Sequence, residues 1–171
     1  MWNDDVKEGR GLYVFSDGSV LVATWVDGKK NGDGVLYECS GDVYHGAYLN
    51  DKKHGFGVYT EAGERTIYEG QWHEGMQHGS GQEISKDGLS YTGEWCEGYK
   101  QGEGQCSWAN GCSYTGGFYK NALHGKGTYM TKNGDIYTGD FSEGLKHGVG
   151  TFSFEDGRLF VGQYKNDKKE G

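Results

Sequence analysis

Proline does not occur in the 171 residues, which removes collagen-like chains and proline-rich linkers at once. Aliphatic bulk is scarce too: Leu, Ile, Val and Phe together make up about 16% of the chain, below the roughly 20% at which disorder becomes the default reading. Basic charge is in deficit, with 17 Lys and Arg against 25 Asp and Glu for a net charge of −8. Phosphate backbones are therefore poor partners, and nucleic acid is excluded as the expectation. No apolar run approaches the ~18 residues of a membrane-spanning helix, and Met1-Trp2-Asn3-Asp4-Asp5 has neither the positive start nor the apolar stretch of a signal peptide. Cys39, Cys96, Cys106 and Cys112 form no CxxC pair, and no Asn-x-Ser/Thr sequon is present. Both fit a reducing cytoplasm.

What the chain has in abundance is glycine, 33 residues, and aromatic rings, 13 Tyr, 7 Phe and 5 Trp. Disordered chains are poor in rings, so the expected core is aromatic, with glycine making room for it. A Tyr-x-Gly-x-aromatic pattern recurs every 23 or 24 residues: Tyr44/Gly46/Tyr48, Tyr68/Gly70/Trp72, Tyr91/Gly93/Trp95, Tyr114/Gly116/Phe118 and Tyr137/Gly139/Phe141, then Phe160/Gly162/Tyr164. A degenerate copy starts at Leu21, and Trp2 lies 23 residues before Trp25. Gly-x-Gly follows seven residues after each second aromatic, from Gly9/Gly11 to Gly148/Gly150, and Gly171 stands where the next such pair opens. Self-similarity at this period signals a repeat array.

Residues at i, i+2 and i+4 share one face of a strand, whereas a helix would scatter them. Each unit therefore reads as a β-hairpin. Asp27-Gly28 and Glu97-Gly98 supply the positive φ of its tight turn, and Asp17-Gly18 or Asn133-Gly134 hands the chain to the next hairpin. Glycines inside strands are expected to leave gaps over which an aromatic from a neighbouring strand lies. The fold class expected is all-β: an elongated single-sheet solenoid of antiparallel hairpins, about 23 residues each, with an aromatic-lined groove. It covers 1–171 as one array: a partial repeat 1–20, repeats 21–43, 44–67, 68–90, 91–113, 114–136 and 137–159, and a partial repeat 160–171.

The run Tyr-x-Gly-x-[Trp/Phe/Tyr]-x-x-Gly-x-x-x-Gly-x-Gly resembles the MORN repeat (membrane occupation and recognition nexus), and the copies from Tyr68, Tyr91 and Tyr137 fit every position. Asp51, Asn121 and Asp167 replace or border the turn glycine, and Glu83 puts a carboxylate where Tyr13, Tyr59, Tyr129 and Phe152 stand, marking a weak point or a bend. The resemblance implies a grooved antiparallel sheet used for scaffolding, partner binding and self-association, a suggested membrane role, and no catalysis by the repeats. The location expected is cytoplasmic, cytoskeletal or peripheral to a membrane.

Sites of chemistry are not expected. No Gly-x-Gly completes a dinucleotide or P-loop motif, and His73-Glu74-Gly75-Met76-Gln77-His78 has its histidines five apart on a hairpin, unlike HExxH on a helix. His54, His78, His124 and His147 precede Gly-x-Gly pairs and should form a row with steps of roughly 10 Å, too wide to share a metal inside one array, though not across a dimer. No catalytic residue, cofactor or metal is assigned. Lysines at the hairpin tips, with acids beside them, read as solvated turn charges, and phospholipid headgroups are the alternative ligand they suggest. The groove expected to stay partly open and receive protein or peptide partners is lined by Tyr44, Tyr48, Tyr68, Trp72, Tyr91, Trp95, Tyr114, Phe118, Tyr137 and Phe141. A non-enzymatic scaffold is the leading function; an anionic-lipid module and the non-catalytic module of a larger enzyme are the alternatives. Phe160-Val161-Gly162-Gln163-Tyr164 carries neither proline nor charge, and no capping segment is expected on it. It is therefore the edge expected to self-associate end to end into a homodimer, through Phe160, Val161 and Tyr164.

Overall fold

The computed structural model describes residues 2–3, 6–63 and 66–170. Every regular element among them is a β-strand. The chain divides into two compact units, 1–86 and 87–171. The first holds β1 (Trp2–Asn3), β2 (Val6–Lys7), β3 (Gly9–Val14), β4 (Val20–Val26), β5 (Lys29–Tyr37), β6 (Val43–Leu49), β7 (Lys52–Thr60), β8 (Thr66–His73) and β9 (Met76–Ser85). The second holds β10 (Ser90–Cys96), β11 (Tyr99–Ser107), β12 (Ser113–Tyr119), β13 (Ala122–Met130), β14 (Ile136–Ser142), β15 (Leu145–Ser153), β16 (Leu159–Lys165) and β17 (Lys168–Glu170). From β3 to β9, and again from β10 to β17, each strand pairs antiparallel with the next.

The tight turns are two-residue loops with positive φ at both central positions, the geometry that matches the twist of flanking strands. Asp27/Gly28, Glu74/Gly75, Glu97/Gly98 and Glu143/Gly144 use glycine second; Asn50/Asp51, Lys120/Asn121 and Asn166/Asp167 do not. These departures have a function. The Asp51, Asn121 and Asp167 side chains each accept a hydrogen bond at 2.9 Å from the backbone N–H of Lys30, Lys100 and Lys146 one repeat earlier. Their own N–H groups donate back to the same residues' carbonyls at 3.0–3.1 Å. A reciprocal pair thus clips neighbouring turn tips where a glycine gives a single bond, as Gly75 N–H does to Lys53 O at 2.8 Å.

The two glycines of Gly-x-Gly do different work. The first has positive φ, from +61° to +84° across the seven copies, and from Gly32 to Gly148 it sits opposite a register shift in the partner strand, which falls after the glycine of Tyr-x-Gly or after Ala23 in the degenerate copy. This is a bulge, and it tightens the hairpin before the turn. The second lies directly opposite the glycine of Tyr-x-Gly, as in Gly46↔Gly57, Gly70↔Gly81, Gly93↔Gly104, Gly116↔Gly127 and Gly139↔Gly150. The ring over this pair is the tyrosine two residues before the first glycine, which lies in that glycine's own strand and in the strand next to the second glycine. A Cβ on Gly57 would lie 2.6–2.8 Å from Tyr44 atoms, and one on Gly46 would meet the Gly57 Cα at 2.5 Å. Glu83 causes no break: it faces Tyr68 within an uninterrupted β9.

Candidate functional site

The first-strand rings are inside. Tyr44, Tyr68, Tyr91, Tyr114 and Tyr137 are 0–1% exposed, and Tyr48, Trp72, Trp95, Phe118 and Phe141 are 4–7% exposed. The groove expected to leave these ten partly open is instead closed over them. Each tyrosine meets the aromatic four residues on edge-to-face, at 5.2–5.4 Å between centroids. Where the next repeat lies in the same unit, it also meets that repeat's second aromatic, as in Tyr44–Trp72 at 5.2 Å, Tyr91–Phe118 at 5.0 Å and Tyr114–Phe141 at 5.1 Å. Such pairs add about 0.5–1.5 kcal/mol each beyond burial. The hydroxyls of Tyr44, Tyr68, Tyr91, Tyr114 and Tyr137 each turn back to donate to the carbonyl three residues on, at 2.8–3.1 Å. Trp72 Nε1 donates to Gly57 O at 3.1 Å. Burial pushes Tyr44 well above the ordinary phenol range, and Tyr48, Tyr68, Tyr114 and Tyr137 up to about 12.

The accessible part of this face is built from second strands and lysines. Lys30, Lys53, Lys100, Lys146 and Lys169 stand in register opposite Trp25, Tyr48, Trp95, Phe141 and Tyr164. They are not solvated tip charges: their ammoniums lie over the rings. Lys53 Nζ is 4.6 Å from the Tyr44 centroid, 5.0 Å from Tyr59 and 5.1 Å from Trp72. Lys146 lies 5.4 Å from both Tyr137 and Phe152, and Lys169 lies 4.0 Å from Phe160. Burial pulls Lys53 below the usual lysine range, while the Glu38 and Asp42 carboxylates act the other way.

The far wall differs between the units. In the first it carries Glu38, Glu61 and Asp42, with Asp42 accepting Tyr59 Oη at 2.8 Å. In the second the equivalent positions hold Trp108, Thr131 and Phe154, then Cys112, Asp135 and Arg158. Trp108 packs on Tyr129 at 5.8 Å, Phe152 on Phe154 at 4.8 Å, and the Arg158 guanidinium lies 4.7 Å over Phe154. Leu123 replaces the lysine opposite Phe118. There a depression of about 250 Å³ opens, lined by Leu123, Tyr129, Phe141, Gly144, Lys146 and Asp167.

The residues expected to self-associate are separated by the structure. Tyr164 is buried at 3% exposure against Tyr137, whereas Val161 is 67% exposed. Phe160 is half-buried beneath Lys169. The strand is also not bare: β17, with Lys168, Lys169 and Glu170, pairs with Gln163–Lys165. On the opposite, polar face His73, which does not belong to the expected histidine row, lies between His54 and His78 at 5.2 and 5.4 Å.

The MORN repeat model matches residues 1–20, 23–43, 44–60, 68–90, 91–113, 114–136, 137–157 and 160–171. The chain belongs to the MORN repeat family. MORN repeats are a repeat-based interaction module and are themselves non-catalytic. Among curated proteins no match to this MORN chain is found. Among solved structures it is similar to the TCP domain of SAS-4 (dCPAP) from Drosophila melanogaster, in complex with a proline-rich motif of Ana2 (dSTIL). The identity is 11%, covering 91% of this chain and 90% of that one, with a TM-score of 0.49. A second likeness is to virginiamycin B lyase from Staphylococcus aureus, at 13% identity over 91% of this chain and 56% of that one, with a TM-score of 0.17. At these TM-scores neither carries a fold or a partner across to the MORN array.

Proposed function

We propose that this MORN array is a non-enzymatic adaptor, and that the ring face of its second unit docks protein segments bearing an acidic residue beside an apolar one. The observation that supports this is the depression at Leu123, where Leu123 and Tyr129 offer an apolar seat and the Lys146 ammonium borders it. An apolar side chain gains by burial there, and a carboxylate one or two residues away gains a charge-assisted contact. The first unit is a poorer site for such a segment, since Glu38 and Asp42 meet Lys53 on the same face and repel an incoming acid.

Selection of a random peptide library on the immobilised chain tests this reading. Acidic and apolar residues should be enriched together, and Lys146→Glu should weaken the selected peptides at least tenfold while Lys53→Glu leaves them nearly unchanged. Peptides that ignore Lys146→Glu would defeat the proposal. Sedimentation with vesicles containing anionic lipid, repeated in rising salt, identifies the lipid alternative if the chain pellets with them and peptides do not compete.

A further inference from the structure

The polar face of the first unit brings three imidazoles into one line. His54 lies on β7, His73 at the end of β8 and His78 on β9. The ring centroids are 5.2 Å apart for His54 and His73, and 5.4 Å apart for His73 and His78. We propose that this row is a binding site for a borderline divalent transition ion, with Zn²⁺ as the reference, in which His73 and either one of its flanking histidines donate ring nitrogens.

The distances carry the inference. An imidazole nitrogen sits about 2.0–2.1 Å from Zn²⁺, and the ring centre lies about 1.1 Å behind it, so the centroid is about 3.2 Å from the ion. Two such rings at a tetrahedral angle have their centroids about 5.2 Å apart. Both observed spacings match, so capture requires the rings to turn about their side-chain bonds and no strand to move. His73 is exposed and His54 and His78 are half-exposed, so those rotations meet solvent. As they stand the rings are tilted by 52° and 46°, and among the described residues no group of three or more His, Cys, Asp or Glu side chains is placed to hold an ion, so the protein supplies two ligands. Nearby Glu74 is engaged with Lys52 at 2.8 Å, so water completes the coordination. A nitrogen donor set favours Zn²⁺, Ni²⁺ or Cu²⁺ over Mg²⁺ or Ca²⁺. Bound metal would tie β8 to β7 or to β9 by side chains and stabilise the unit in proportion to occupancy.

Calorimetric titration of the whole chain near neutral pH, with Zn²⁺ and separately with Mg²⁺, is the test. Zn²⁺ should bind and raise the melting temperature, and Mg²⁺ should do neither. His73→Gln removes the ring common to both pairs and should weaken Zn²⁺ at least tenfold. His54→Gln and His78→Gln should each weaken it less. His124→Gln, whose neighbour is Tyr119 at 5.6 Å, should leave it unchanged. If His73→Gln lowers the metal-free melting temperature, the two flanking variants carry the comparison. The free thiols are the competing ligands, so Co²⁺ is bound in place of Zn²⁺: imidazole coordination gives visible bands without the near-ultraviolet thiolate charge transfer. A thiolate band, unchanged affinity in the histidine variants, or no Zn²⁺ binding overturns the proposal.

Discussion

The two units share one lock and differ in one wall. In both, a tyrosine lies over a pair of facing glycines and its hydroxyl closes on its own strand, at 2.9 Å for Tyr44 and Tyr114 alike. Beyond those rings the first unit sets Glu38 and Asp42 around Lys53, whereas the second sets Phe152 and Phe154 around Lys146 and Lys169. The family pattern thus governs stability, and the positions it leaves free govern what the face attracts. Substitutions within the lock should therefore act alike in both units, while substitutions in the wall should separate them.

The largest effect is expected at the paired glycines. Gly46→Val and Gly93→Val each drive a side chain into the facing glycine's Cα, at 2.5 and 2.6 Å for the Cβ alone. Both should cost more than about 3 kcal/mol, against about 0.5 kcal/mol or less for exposed Thr92→Val. Chemical denaturation of the three variants measures this, and a tolerated Gly93→Val would show that the second unit is not locked like the first. Next come the second aromatics: Trp72→Ala and Phe141→Ala should each cost about 3–5 kcal/mol, with Trp72 at the upper end because the Gly57 carbonyl also loses its donor.

Alkaline unfolding should treat the units equally. An unfolded tyrosine ionises near pH 10, whereas Tyr68 in the first unit and Tyr114 and Tyr137 in the second hold their protons to about 12 through burial. Between those values the native state binds more protons than the unfolded one. Stability is therefore complete below the unfolded value and falls as pH climbs towards 12. In a phenolate absorbance titration the buried tyrosines' share of the signal should rise together with unfolding; a split of that share into two steps would mark one unit as looser.

Hydroxyl removal is subtler. Tyr44→Phe should cost about 1 kcal/mol by abandoning the Ala47 carbonyl. Tyr48→Phe and Tyr164→Phe should be neutral or stabilising, because those buried hydroxyls have no hydrogen-bond partner among the described residues. The smallest effect belongs to the turn tips. Asp51→Gly and Asn121→Gly lose one exposed side-chain bond and relieve a positive φ of 72°, for a net change of about 0.5 kcal/mol in thermal melts.

Strand periodicity, turn positions and the ring-bearing face were legible because they repeat, and a period of two within a period of 23 leaves little freedom. What escaped was relational. Spacing alone could not tell that the ring over Gly57 is Tyr44 of the same hairpin, since the bulge at Gly55 alters the register on the way to the turn. For the same reason Lys53, which reads as a tip residue, pairs with Tyr48 and lands among the rings. The ten rings expected to be open are covered because edge-to-face partners arrive from the next repeat, a contact no single repeat displays. Asp51 and Asn121 looked like errors in the pattern and are clips. That signal was available: both have a Lys 21 residues earlier, at Lys30 and Lys100, as does Asp167 at Lys146.

Because Tyr44, Gly46 and Gly57 fall within 14 successive residues, the close fit of ring to backbone is settled inside one hairpin before any neighbour is present. Such a segment carries its own template when a gene duplicates it, and the copy needs only another hairpin with the same outer ring to join. Array length is then free to change in whole units with little penalty, and short loops let each unit form quickly. A single-residue insertion between Gly46 and Gly57 has no such freedom: it shifts the glycine from under the ring, and the unit fails alone, however many sound repeats stand beside it.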